Sequence, residues 1–224
     1  MAVIHRTTLS PTKLELLAEW LPSRPWYRGT KDAPALTRAG GFRLDDPEGE
    51  VGIEFMVVTD TSGDEPVAHL VPLTYRGAPL DGAGEGLIGT MEHGVLGTRW
   101  VYDSLHDPVL VEQLLALLAG RATAQAQSES NTPDPTVEVR AVRADVPAPL
   151  AGTGKVSDTA DATVIAVGPA DGPGPLFDLV LSRVLRPGPA ADGDGLPGRV
   201  LAGWTDPDGA ARRGVFAALR AAGH

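Results

Sequence analysis

Three short stretches of this sequence set an arginine against an aromatic ring: Trp26, Tyr27 and Arg28; Tyr75 and Arg76; and Arg99, Trp100 and Tyr102. Trp, Tyr and Arg concentrate binding energy at protein interfaces, and their flat faces also suit a sugar ring. The same rings alternating along strands equally well fill a core, with the arginines paired to the acidic excess. Together with Glu92, His93 and Asp103, these residues form the candidate binding surface.

Other patterns that carry chemistry are weaker. The five histidines, His5, His69, His93, His106 and His224, show no metal-ligand spacing. Glu92-His93 reads as a turn and His106-Asp107 as the start of a helix, so no metal is assigned. Asp45, Asp46, Glu48 and Glu50 lack calcium-loop spacing and read as a solvated loop. Gly152-Thr-Gly-Lys155 fails as a phosphate-binding loop because Pro149 and Val156 occupy both defining positions. Cys is absent, which removes disulfides, thiolate metal sites and a thiol nucleophile. No Gly-x-Ser-x-Gly occurs either. No catalytic residue and no cofactor is assigned.

The charge balance limits the partners. With 19 Lys+Arg against 29 Asp+Glu the net charge is −10, which argues against nucleic acid and anionic membrane. No apolar run is long enough to span a bilayer, and residues 1–12 lack a signal-peptide core, so a cytoplasmic protein is expected.

The elements that would position the candidates follow from periodicity. Residues 12–20 predict a short helix with Leu14, Leu17 and Ala18 on one side, capped at Ser10-Pro11 and stopped by Pro22 and Pro25. From about 26 to 103 the period is twofold. Strands are expected at 51–58, at 67–75 and at 87–93 paired with 95–103 about a turn near His93-Gly94. Pro72 marks the 67–75 strand as an edge or a bulge. Asp107-Pro108 caps a second helix whose buried stripe is Val111, Leu114, Leu115 and Leu118.

Residues 128–135, Ser-Glu-Ser-Asn-Thr-Pro-Asp-Pro, have linker composition and divide the chain into 1–127 and 136–224. The second part carries β runs at 136–142, 162–167, 176–185, 199–204 and 214–219. Residues 209–222 fit a helix by composition, but the Asp206–Gly209 turn and Val215-Phe216 favour a hairpin. The fold class is α+β: an antiparallel sheet packed by two helices, followed by a smaller antiparallel β region.

The stretch Leu-Ile-Gly-Thr-Met-Glu-His-Gly-Val-Leu-Gly-Thr-Arg-Trp-Val-Tyr-Asp-Ser-Leu-His-Asp-Pro-Val at 87–109 resembles the N-terminal cap domain of actinobacterial maltokinases. Leu-Pro-Ser-Arg-Pro-Trp-Tyr-Arg-Gly at 21–29, the strand at 51–58 and Val-Pro-Leu-Thr-Tyr-Arg-Gly-Ala-Pro-Leu at 71–80 match in order, so the resemblance covers roughly residues 10–120. It implies a curved antiparallel sheet with a helix across it. In maltokinases this cap sits on a kinase that phosphorylates maltose with ATP, in the trehalose/maltose route to glycogen and other α-glucans.

The residues after the cap resemble a degenerate kinase N-lobe, since Leu-Val-Leu-Ser-Arg-Val-Leu-Arg-Pro-Gly at 179–188 is similar to the family strand that ends in an arginine-containing run. The phosphate-binding Lys of that strand is missing, with Val180 and Ser182 nearest its place, and there is no catalytic loop or Asp-Phe-Gly. The resemblance therefore implies a non-catalytic interaction or regulatory module, with a protein partner or self-association. A maltose- or α-glucan-binding protein and a non-catalytic subunit of a split sugar kinase are the alternatives.

Overall fold

A computed structural model describes residues 8–129, 131–140, 142, 149–152, 155–188 and 196–222. Its strands are β1 (Leu9–Ser10), β2 (Leu36–Asp45), β3 (Gly52–Asp60), β4 (Val67–Arg76), β5 (Leu87–His93), β6 (Gly97–Asp103), β7 (Glu138–Arg140), β8 (Leu150–Gly152), β9 (Ser157–Asp158), β10 (Ala162–Pro169), β11 (Phe177–Ser182), β12 (Gly198–Thr205) and β13 (Ala211–Ala221). Two helices accompany them, α1 (Lys13–Trp20) and α2 (Pro108–Leu118). All pairings of these strands are antiparallel, as the short connections require.

The α1 cap is Thr12 rather than Ser10. Its hydroxyl accepts from Glu15 N at 3.3 Å, and its own N–H donates to the Glu15 carboxylate at 2.7 Å, a reciprocal box. The buried face is Leu16, Leu17 and Trp20, one step round from the predicted stripe. At α2, Asp107 accepts from Val109 N at 3.0 Å with Pro108 in the first turn, as the sequence indicates.

The main sheet runs β1-β5-β6-β4-β3-β2-β12-β13-β11-β10-β8. Beyond β11 the chain returns to β4: Leu70 N donates to Arg183 O at 3.0 Å and Leu185 N to Ala68 O at 2.9 Å, about a His69–Val184 bridge. β4, β3, β2, β12, β13 and β11 thereby close into a ring. Within the ring, strands of the second half pair with strands of the first at two narrow places, this seam and the lone Trp204–Gly40 pair between β12 and β2.

Pro72 lies inside the sheet rather than at its edge, opposite Phe55 of β3. It stands where the other side of β4 changes partner, between Ala68–Leu70 on the seam and Leu73–Arg76 on β6. Residues two apart on an antiparallel strand send their N–H groups to the same side, so the N–H that proline lacks falls in this gap.

Two apolar cores lie on opposite faces of β3 and β4. One joins Phe42, Phe55 and Leu70 to α2 and to Leu181, Trp204 and Phe216 of the second half. Phe42 stacks on Phe55 at 4.5 Å and approaches Phe216 at 6.0 Å. The other packs α1, Trp20 and Trp26 on Met56, Val58, Val71, Leu73 and Val101.

Residues on either side of 128–135 thus share one sheet and one core. That segment is itself hydrogen-bonded, with Ala126 N on Thr132 O at 2.7 Å and Asp134 N on Ala124 O at 2.9 Å. Gln125 exchanges backbone bonds with Arg43 of β2 at 2.9 and 2.8 Å. Residues 211–221 form a strand, resolving the alternative in favour of the hairpin.

Candidate functional site

The turn after α1 carries Trp26, Tyr27 and Arg28 beneath β4. Trp26 is fully buried, edge-on to Trp20 at 5.8 Å and tilted against His69 at 5.9 Å, with the Arg183 guanidinium 4.7 Å above its ring. The Tyr27 hydroxyl donates to Asp60, whose other oxygen accepts from Ala35 N at 3.2 Å and Ser62 N at 2.8 Å. Burial and then the Asp60 charge push the Tyr27 phenol up to about 12. Burial alone would raise Asp60, but these donors outweigh it and hold the carboxyl below its usual value. Gly29 is required here, since a Cβ would stand 2.5 Å from both the Tyr27 hydroxyl and Asp60 Oδ2. Arg28 reaches outward to Asp161 at 2.7 Å, and Arg186 meets the same carboxylate at 3.4 Å.

Tyr75 and Arg76 end β4 in two separate networks. Tyr75 donates to the buried Glu54 carboxylate at 2.6 Å, where Lys13 forms an ion pair and Gln127 donates at 3.2 Å. Burial opposes ionisation of Glu54, yet Lys13 and Tyr75 hold its carboxyl below the usual range. Burial, reinforced by Glu54, drives the Tyr75 phenol well above its usual value. Arg76 grips Asp107 with two bonds of 2.7 Å, so Asp107 both caps α2 and closes an ion pair.

On the β5–β6 hairpin, Glu92 accepts from the Thr98 hydroxyl at 2.7 Å. His93 Nδ1 accepts from Val95 N at 3.3 Å and Leu96 N at 3.1 Å, which fixes the turn. Arg99 donates to the Leu96 carbonyl. Trp100 is half-buried, and Tyr102 is buried with its hydroxyl accepting from Leu80 N at 2.8 Å. Asp103 is buried against Arg183, 2.6 Å from each oxygen. The candidates therefore fall into separate groups. Most of their polar atoms are spent inside the molecule, and Trp100 is the one partly open indole among them.

The hairpin turn exposes what the sequence reading passed over. Val95 and Leu96 are 60% and 45% exposed, and Leu87 on the neighbouring strand is 39% exposed. Two large apolar residues directly after Gly94, where a hairpin turn usually carries polar ones, were the available signal.

Residues 20–107 match the family model of the maltokinase N-terminal cap domain. This segment is similar to the maltokinase N-terminal cap domain. It contains β2 to β6, the Trp26–Arg28 turn and the Asp107 cap of α2.

Asp103, buried inside the matched segment, is nevertheless satisfied from outside it, by Arg183. Val180 and Ser182 on β11 are half-buried and alternate with the core residues Leu179 and Leu181. The acidic loop beyond β2 is held by Asp46, which accepts from Glu48, Glu50 and Val51 N–H at 3.1, 3.0 and 2.9 Å. Among the described residues no group of three or more His, Asp or Glu could hold a metal ion, and no helix is long and apolar enough to cross a membrane. His5, His224 and the Thr153-Gly154 loop lie outside the described residues.

Proposed function

We propose that this chain is a non-catalytic interaction or regulatory module built on a maltokinase-type cap, working by self-association or protein contact in cytoplasmic maltose and α-glucan metabolism. The observation that carries this reading is the exposed apolar turn of Val95 and Leu96 on a cap whose aromatic and arginine residues are mostly used internally. Burying such side chains contributes about 25 cal/mol per Å² removed from water. The second half supports the same reading as a reduced kinase N-lobe: β12, β13, β11 and β10 form a continuous antiparallel run, and the sequence offers no phosphate-binding Lys on β11. The saccharide alternative is left with Trp100, because Trp26, Tyr27 and Tyr102 are buried.

The test is light scattering on the purified chain over a wide concentration range, for wild type and for a Val95→Lys/Leu96→Lys variant. Mass that rises with concentration in the wild type and not in the variant is the expected result. A wild type monomeric throughout, with maltose quenching its Trp fluorescence, overturns the reading in favour of a sugar binder. ADP release dependent on maltose, above a heat-killed control, overturns the non-catalytic half of it.

A further inference from the structure

His69 is fully buried on β4, in the seam that closes the ring. Its imidazole packs against Trp26 at 5.9 Å and Tyr27 at 5.5 Å. Nε2 lies 3.2 Å from the Arg28 carbonyl. A carbonyl only accepts, so Nε2 carries the hydrogen of the neutral ring and Nδ1 is bare. Nδ1 has no hydrogen-bond partner among the described residues.

The charged and titratable groups around the ring are already committed. Tyr27 is bound to Asp60. Arg28 is paired with Asp161 and Arg183 with Asp103. The Arg183 carbonyl favours the charged ring and also accepts the Leu70 N–H that forms the seam, so a proton on Nδ1 would compete with the seam for that oxygen. Burial, joined by the nearby Arg28 charge, outweighs that carbonyl, the Arg28 carbonyl and the Asp60 charge together, so His69 holds its proton less tightly than a free histidine.

We propose that His69 makes this seam a proton-operated latch: protonation of Nδ1 releases Arg183–Leu185 from Ala68–Leu70 and loosens the second half of the ring from the cap. The proton comes from solvent, no covalent bond changes, and the two seam hydrogen bonds, Leu70 N to Arg183 O and Leu185 N to Ala68 O, pass to water. The seam is the natural place to open, because one bridge joins the strands there while the β2–β3 ladder runs the length of both strands. With the released state binding the proton at the ordinary histidine value near 6.5, the seam is fully held above that pH and weakens as pH falls below it.

The test is amide hydrogen exchange on the full chain at about pH 7.5 and about pH 5.5, corrected for intrinsic rates, for wild type and His69→Gln. Glutamine keeps a donor for the Arg28 carbonyl and cannot titrate. Protection at Leu70 and Leu185 is expected to fall about tenfold in the wild type, the protonated-to-neutral ratio one unit below the ordinary histidine value. The β2–β3 amides stay protected, and His69→Gln shows no fall at the seam. Seam protection that follows the β2–β3 amides, or a fall that persists in His69→Gln, overturns the proposal. Should the variant not fold, the wild-type ring resonance decides: its midpoint must lie below the ordinary histidine value with seam protection already falling above that midpoint, and titration without that loss overturns the latch.

Discussion

Arg183 Nη2 lies 2.6 Å from each carboxylate oxygen of Asp103, 80 positions earlier in the chain, and both side chains are shut away from solvent. The guanidinium rests on the Trp26 ring, and its Nε donates to Thr163 Oγ1 at 2.6 Å. Three parts of the chain thus meet at one ion pair: the turn after α1, the end of β6 and the strand that returns to β4. A buried pair of this kind adds little net stability over an apolar replacement, but removing one partner leaves the other charge stranded.

Asp103→Ala should therefore cost about 3–5 kcal/mol. Replacing Arg183 and Asp103 together by Met and Leu should recover much of that loss. Urea unfolding of the variants checks it. A single variant that loses less than about 1 kcal/mol, the range of exposed pairs, would show that solvent reaches the pair.

The residues 1–127 alone should not give a cooperative native state. They would leave Phe42, Phe55, Leu70 and α2 without Leu181, Trp204 and Phe216, and Asp103 without Arg183. Each large side chain uncovered forfeits roughly 1.5–3 kcal/mol against a total stability of about 5–15. A sharp thermal transition in the fragment, with dispersed amide resonances, would sink the expectation.

Much of this fold is legible in the sequence because local physics decides it. Alternation at 51–58, the Asp107-Pro108 cap and the His93 turn all act within a few residues. β2 was not legible: Gly40 and Gly41, both at positive φ, carry a register shift that breaks its alternation, and a Cβ on Gly41 would stand 1.8 Å from Phe55 O. Pro72 signalled a break in pairing, but only the fold reveals that the break lies between two partners of one interior strand. The linker composition of 128–135 gave no hint of its bonds to 124–126. Among the site candidates, residue type pointed to Trp26 and Arg76, whereas their internal partners Arg183 and Asp107 depend on contacts too long-range for spacing to carry.

At high pH the fold should fail together with two phenols. Unfolded tyrosines ionise near pH 10, while burial and Asp60 keep Tyr27 protonated to about 12 and burial with Glu54 keeps Tyr75 protonated well past its usual value. Both pKa values are raised in the fold, so the stability they contribute is complete below about pH 10 and drains away as pH rises beyond it. Phenolate absorbance recorded beside far-ultraviolet circular dichroism checks this. The change missing from Tyr27→Phe and Tyr75→Phe should appear only as structure is lost, and ionisation of either phenol in an intact fold would contradict it.

The two indoles of the aromatic–arginine set should behave differently. Trp26 is wholly enclosed by Trp20, His69 and Arg183, so Trp26→Ala should cost about 3–5 kcal/mol through the cavity it leaves. Trp100 is half-buried on β6 opposite Arg76, so Trp100→Ala should cost about half as much, in proportion to the area it buries. The sequence alone places Trp100 inside and Arg99 outside by strict alternation. In the fold the shift between Leu87 and Gly89 sets the pairing of β5 with β6, and both residues are half-buried. Chemical unfolding of the two alanine variants ranks them, with Trp26→Ala the more damaging. Equal losses at Trp26 and Trp100 would mean that Trp100 is covered in solution, as self-association through the nearby Val95–Leu96 turn would bring about, and repeating the melts at lower protein concentration would separate that cause from intrachain packing.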